Sequence, residues 1–236
     1  VFAVVRCGRC GLAYTNPRPG PRAIARFYPD DYKPHCQPPA ARSRRVRPLL
    51  ARVFGRPCPE RRGALPWPGN GRLLDFGCGT GRFLSTMADR GWAVLGVDSS
   101  AAAVEAVRAR YGLPALVGTL PHPDLRPGSF DVVTMWHTLE HLHRPLEALR
   151  AAFRLLVPGG KLIVATPNLD SLPYRVFGPA WFGLDLPRHL THFTPRTLAA
   201  MLHAAGFRAG PVRQLRHSDW LRASARLAAR DGVGGA

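Results

Sequence analysis

Lysine is almost missing from this chain: Lys33 and Lys161 are the only two among 33 basic residues, against 15 acidic ones. The resulting formal charge of +18 attracts phosphate, so a nucleic acid or another anionic substrate is one reading. Codon choice in a GC-rich genome is the plainer one, because the arginines accompany abundant Ala, Gly and Pro. They are also scattered along the chain rather than gathered on one helix face. Long apolar runs are absent too. None approaches the ~20 residues of a membrane span, and no signal-peptide pattern opens the sequence, so a cytoplasmic enzyme is expected. Cysteines number five, and an odd count argues against a disulfide framework. There are no internal repeats. The 236 residues, 46% of them hydrophobic, suffice for one α/β domain with a small appendage.

Against that background one run stands out, Leu73-Leu74-Asp75-Phe76-Gly77-Cys78-Gly79-Thr80-Gly81. An apolar strand drives into a turn with glycine at every second position, and a helix opens just after it. Glycines there let a ligand sit against bare main chain, and the first helical turn aims unpaired N–H groups at it. A second strand, Ala93 to Val97, ends in Asp98, 23 residues after Asp75, where an acid can accept from a ribose diol. The spacing is G-x-G-x-G rather than the dinucleotide G-x-G-x-x-G. Two carboxylates beside the loop repel a pyrophosphate and suit a cationic nucleoside.

This pattern resembles motif I of the class I S-adenosylmethionine-dependent methyltransferases, D/E-x-G-x-G-x-G. The resemblance implies that Asp75, Phe76, Gly77, Cys78, Gly79, Thr80 and Gly81 cradle S-adenosylmethionine, with Asp98 and Ser99 at the ribose. It places the adenine near Gly118-Thr119-Leu120. Many members have an acid there, whereas Thr119 offers only a hydroxyl and Leu120 a backbone N–H. It also implies an α/β, Rossmann-like, doubly wound sheet of seven strands, mostly parallel.

The alternation of elements agrees. Helices are expected at Arg82–Arg90, Ala101–Tyr111 behind a Ser99-Ser100 cap, Pro145–Leu155 and Pro195–Ala205. Strands are expected near Ala115–Val117, at Phe130–Trp136 as a run buried on both faces, at Lys161–Ala165, and near Phe207 and Val212. Such alternation gives a parallel sheet whose ligand crevice lies at the carboxyl ends of the strands. Domain boundaries are expected at 1–36 for an N-terminal segment, 37–71 for a Pro/Arg-rich linker with one helix near Pro48–Val53, and 72–216 for the catalytic domain. A lid spans 168–194, and a helix and tail occupy 217–236.

Three clusters of chemistry-bearing residues follow. Cys7 and Cys10 form a C-x-x-C knuckle of the kind that wraps zinc, but a closed structural site needs four ligands. His35, Cys36 and Cys58 follow at irregular spacing. The better reading is the second half of a zinc ribbon whose first cysteine pair lies before Val1; on the residues given, an unmetallated thiol pair is narrowly preferred.

Trp136-His137-Thr138-Leu139-Glu140-His141 resembles a segment of the ubiquinone-type O-methyltransferases, where an acid three residues before Glu-His is associated with a divalent metal. Here that acid is His137. Histidine and carboxylate suit zinc or iron better than magnesium. The blander reading, in which Glu140 pairs at a helix start and His141 packs on the sheet, is preferred. Trp136 faces the cofactor in the resemblance, and His137 is the first candidate base.

The third cluster, Pro187-Arg188-His189-Leu190-Thr191-His192-Phe193, falls in the connection where class I methyltransferases build a substrate lid. With Ala205-Gly206-Phe207 it resembles the ending of a bacterial family that places a zinc ribbon before a methyltransferase domain. His189 and His192 are the second and third candidate bases. The expected reaction is methyl transfer to an oxygen or nitrogen of a small molecule or glycoconjugate. Two rivals are weighed against it. One is an RNA methyltransferase, which the charge favours; but Met135-Trp136-His137-Thr138 stands where an N-P-P-Y-like or D-P-P-Y-like tetrad would serve an exocyclic nitrogen. The other is a non-catalytic binding protein of the same fold, which an intact glycine loop opposes.

Overall fold

The computed structural model describes residues 1–28, 70–215 and 217–230. The helix expected near Pro48–Val53, and His35, Cys36 and Cys58, lie outside the described residues. The chain opens on an antiparallel hairpin, β1 (Ala3–Arg6) and β2 (Ala13–Asn16), registered Ala3 to Asn16 and Arg6 to Ala13. The Cys7–Cys10 knuckle is the tip of this hairpin, closed by the Cys7 N–H on the Leu12 carbonyl at 2.9 Å. A single 3-10 turn over Ile24–Phe27 follows.

The main sheet holds β3 (Arg72–Phe76), β4 (Ala93–Asp98), β5 (Ala115–Val117), β6 (Phe130–Trp136) and β7 (Leu156–Ala165) in the order β5-β4-β3-β6-β7. Every pairing is parallel. Side chains alternate across it as the strand period demands. Leu73, Val94 and Val132 pack on one face with α1 (Arg82–Ala88) and α2 (Ala101–Tyr111). Leu74, Phe76, Val97, Val133 and Met135 pack on the other with α3 (Pro145–Leu155). Helix α3 begins with Pro145 at its first position and buries Ala148, Leu149, Ala151, Ala152 and Leu155, one helical stripe. Ser100 caps α2 by accepting from the Ala103 N–H.

After β7 the chain forms α4 (Leu172–Phe177), two 3-10 turns over Gly178–Ala180 and Phe182–Leu184, and the short strand β8 (Thr191–His192). A reciprocal Thr194–Thr197 capping box opens α5 (Pro195–Ala204), which packs on α3, and α6 (Ser218–Arg230) closes the described chain. Strand β8 pairs antiparallel with β2, so the N-terminal hairpin and the segment before α5 share one three-stranded sheet.

The expected count of seven strands is corrected to five in the main sheet. The two strands expected near Phe207 and Val212 do not form. Gly210-Pro211 interrupts that stretch, a proline cannot donate to a ladder, and Val212 is 60% exposed, so no apolar face drives pairing. Strand β7 instead begins earlier than expected. Its Pro158-Gly159-Gly160 segment is absorbed as a shift in register: Phe130 pairs with Leu156, and Val132 with Lys161. Helix α1 also stops two residues short of Arg90. Among the described residues, no helix is long and apolar enough to cross a membrane.

Candidate active site

The carboxyl ends of β3, β4 and β6 deliver the glycine loop, Asp98 and Trp136 to one region, because parallel strands all point the same way. Three loop glycines adopt positive φ: Gly77 at 79°, Gly79 at 50° and Gly81 at 72°. Two of them are also held by close approach. A Cβ on Gly77 would fall 2.2 Å from the Thr138 hydroxyl, and one on Gly81 would fall 2.6 Å from a Val107 methyl. The loop therefore bears on the segment after β6 through Gly77 and on α2 through Gly81.

Asp98 is buried and turned toward the loop. One of its oxygens accepts the Gly79 N–H at 2.8 Å and the other the Ser100 N–H at 2.9 Å. A carboxylate has about four lone-pair positions, so both oxygens keep capacity for a further donor such as a ribose hydroxyl. Asp75 is buried at the loop entrance and takes the Thr134 hydroxyl at 2.6 Å. Burial, then the Asp75 and Asp98 charges, push the Cys78 thiol far up, so Cys78 is an inert small residue. Thr119 is exposed and Leu120 buried just beyond β5, while Ser99 is exposed between Asp98 and the α2 cap.

At the ends of β6 and β7 two buried donors, the Trp136 indole Nε1 and the Thr166 hydroxyl, have no hydrogen-bond partner among the described residues. Such orphans are costly unless a ligand answers them. A loop with glycine at every second position, a half-satisfied carboxylate and unanswered polar groups fit a nucleoside-bearing cofactor.

His137 follows directly on Trp136. It takes a positive φ of 50°, unusual for a residue with a side chain, and its amide donates to the Ala165 carbonyl at 2.9 Å. Its Nδ1 stands 3.4 Å from the Glu140 carboxylate. On its other side lie His217 and Trp220 of the α6 region, each with its ring centroid 5.2 Å away. The contribution of His217 and Trp220 was not legible beforehand; an aromatic on the amphipathic pattern of residues 218–230 was the only available signal.

His189 and His192 occupy a different setting. Both are buried, and burial first of all pushes each imidazole down to about 4. His192 Nε2 shares a hydrogen with the Thr15 hydroxyl at 3.0 Å, and His189 Nδ1 donates to the Gly183 carbonyl at 2.9 Å. Arg188 grips the Asp185 carboxylate and donates to the Phe27 carbonyl at 3.0 Å, tying the segment before β8 to the N-terminal segment. The structure does not gather His137, Glu140 and His141 into one ligand set. The ligand atoms that converge within 4.8 Å of one another belong to Glu140, His141 and His189. Cys7 and Cys10 sit together at the hairpin tip, where hydrogen bonds from Cys10 and Arg9 amides pull the Cys7 thiol down.

Residues 40–210 match the family model described as a methyltransferase domain. The chain belongs to this family and is a class I S-adenosylmethionine-dependent methyltransferase, an enzyme. Among its relatives is the ubiquinone biosynthesis O-methyltransferase of Xanthomonas euvesicatoria pv. vesicatoria, 34% identical over 174 residues, 69% of this chain and 72% of the relative. A solved S-adenosylmethionine-dependent methyltransferase from Thermotoga maritima is 29% identical with a TM-score of 0.52, over 63% of this chain and 68% of that one. Another from Mesorhizobium loti, at 22% identity and a TM-score of 0.54 over 75% and 90%, shares the fold.

Proposed function

We propose that this methyltransferase acts on an oxygen of a small molecule or glycoconjugate, with His137 as the base. The observation that carries the reading is the position of His137. It is the residue after the last of β6, beside the glycine loop, braced by Glu140 and walled by His217 and Trp220. The O-methyltransferase name of the Xanthomonas relative supports oxygen as the acceptor. So does Met135-Trp136-His137-Thr138 at the end of β6, where an enzyme for exocyclic nitrogen would carry a Pro-Pro tetrad.

Asp75 and residues 76–81 form the cradle in this reading, Asp98 and Ser99 meet the ribose, and Thr119 and Leu120 lie along the adenine. When bound, S-adenosylmethionine supplies a sulfonium methyl for in-line displacement. The chain's own task is then to hold the acceptor oxygen in line, exclude water with Trp136 and Trp220, and take the hydroxyl proton on the His137 ring. Deep burial and low basicity leave His189 and His192 with supporting roles. Cys7 and Cys10 are read as an unmetallated thiol pair at the hairpin tip, two of the four ligands a structural zinc would need.

Extract fractions split into nucleic-acid, lipid and soluble pools, incubated with methyl-labelled cofactor, test the reaction. Label is expected in the soluble or lipid pool. His137→Gln should lower kcat by about 100-fold while calorimetric affinity for S-adenosylhomocysteine stays unchanged. Label confined to nucleic acid, or full activity in the variant, refutes the proposal.

A further inference from the structure

We propose that His122 is a positioning residue of the cofactor site: its imidazole fixes the Val117–Gly118 peptide and, through it, the backbone that meets the adenine. The inference rests on the reading above, in which Thr119 and Leu120 lie along that ring. The groups offered there are a hydroxyl and a main-chain N–H rather than a carboxylate, so recognition depends on where the backbone is held. Strand β5 gives that backbone little support, because it spans only Ala115–Val117.

One peptide unit is held at both of its polar atoms. The Gly118 N–H donates to the Asp98 main-chain carbonyl at 2.8 Å, and the Val117 carbonyl of the same unit accepts from His122 Nε2 at 3.3 Å. On the far side of the ring, Nδ1 accepts the Asp124 N–H at 3.2 Å. A carbonyl only accepts and an amide N–H only donates, so the two contacts agree on one tautomer, with the hydrogen on Nε2 and the lone pair on Nδ1. The Leu125 N–H on the His122 carbonyl, at 3.2 Å, closes the turn that carries the ring. Backbone thus fixes the imidazole at both nitrogens, and the imidazole fixes the peptide beyond β5.

Gly118 makes room for this arrangement. A Cβ there would fall 2.6 Å from His122 Cδ2 and 2.9 Å from Nε2, closer than any side chain tolerates, so only bare main chain lets the ring edge lie against the peptide. Asp98 joins the hold to the rest of the site. Its carbonyl takes the Gly118 N–H while its carboxylate takes the Gly79 and Ser100 N–H groups. The ribose acid and the adenine-side backbone are therefore registered through one residue, and His122 supplies the second hold. Val117 is 47% exposed, so water can replace a lost bond to its carbonyl. The cost of removing the ring then falls on position rather than on folding.

Calorimetry on the full chain with S-adenosylhomocysteine and with its inosine counterpart, in which an oxo group replaces the adenine amine, tests the role. His122→Ala should weaken S-adenosylhomocysteine about 10-fold, the scale of one hydrogen bond, and shrink the preference over the inosine form by a similar factor. His122→Gln, whose side-chain amide can reach the Val117 carbonyl, should restore both within about 3-fold. His122→Asn, which can serve only the Asp124 N–H, should not. The urea midpoint should hold; if His122→Ala lowers it, the contrast between Gln and Asn decides. Gly118→Val, which drives a side chain into the same place, should weaken binding as well. Binding weakened by Gly118→Val but untouched by His122→Ala overturns the role of His122 and leaves the adenine where it is read. Indifference to both changes overturns that placement too. An affinity loss in His122→Ala with the inosine preference intact, or rescue by Asn and not by Gln, also overturns the proposal.

Discussion

Replacing Gly77 by alanine is the sharpest test of how the glycine loop is held. The backbone sits at φ 79°, which costs an L-residue roughly 1–2 kcal/mol. The new methyl would also land 2.2 Å from Thr138 Oγ1 and 2.7 Å from its Cγ2. Thr138 must yield, at about 1–3 kcal/mol for overpacking. Moving it breaks its 3.1 Å hydrogen bond to the Trp136 carbonyl, about 1 kcal/mol more. Together these predict a loss of about 3–6 kcal/mol in urea unfolding, with affinity for S-adenosylhomocysteine lost beyond measurement because loop and post-β6 segment shift together. A second change, Thr138→Gly, removes the obstructing atoms. In the double variant about 1–3 kcal/mol should return while the φ strain stays. Tolerance of Gly77→Ala within ~0.5 kcal/mol, or additive effects of the two changes, would refute this packing account.

Two further outcomes follow from protonation. Burial holds the folded His192 imidazole near 4 against an ordinary value of 6.5, so the unfolded chain binds the extra proton between those values. Its contribution, up to about 3 kcal/mol, is fully present above pH ~6.5 and is lost as pH falls toward ~4; His192→Gln should flatten that part of a stability–pH curve, and an unchanged slope would count against it. Cysteine reactivity should split as well: alkylation at neutral pH, read by mass spectrometry, should modify Cys7 well before Cys78, because amides lower the first thiol and burial raises the second.

How much was legible in the sequence depended on whether a signal was local. Ala101–Tyr111 and Pro145–Leu155 match their expected bounds because a serine cap and an N1 proline mark their starts. Phe130–Trp136 was readable as a continuous apolar run, and it lies buried between two helical layers. Phe207 and Val212 looked like strand formers locally, yet no neighbour offered an edge with an apolar face, and Phe207 packs its ring on Phe153 instead. The glycine loop and Asp98 were legible because their spacing is fixed by one strand–helix–strand unit. The meeting of Glu140 and His141 with His189 was not, since nothing near residue 140 announces where the segment before β8 folds back. The stacking of His217 and Trp220 on the His137 side was hidden for the same reason.

The pairing of β2 with β8 has a practical bearing on protein engineering. The family match begins at residue 40, which invites a trimmed version starting there. Such a version would strip β8 of its partner strand, leave the Thr15 hydroxyl's bonds to the His189 carbonyl and His192 ring unmade, and free Arg188 from Phe27. The first 28 residues thus serve as a buttress that the shared domain borrows, and a shortened variant would inherit a raw edge along β8.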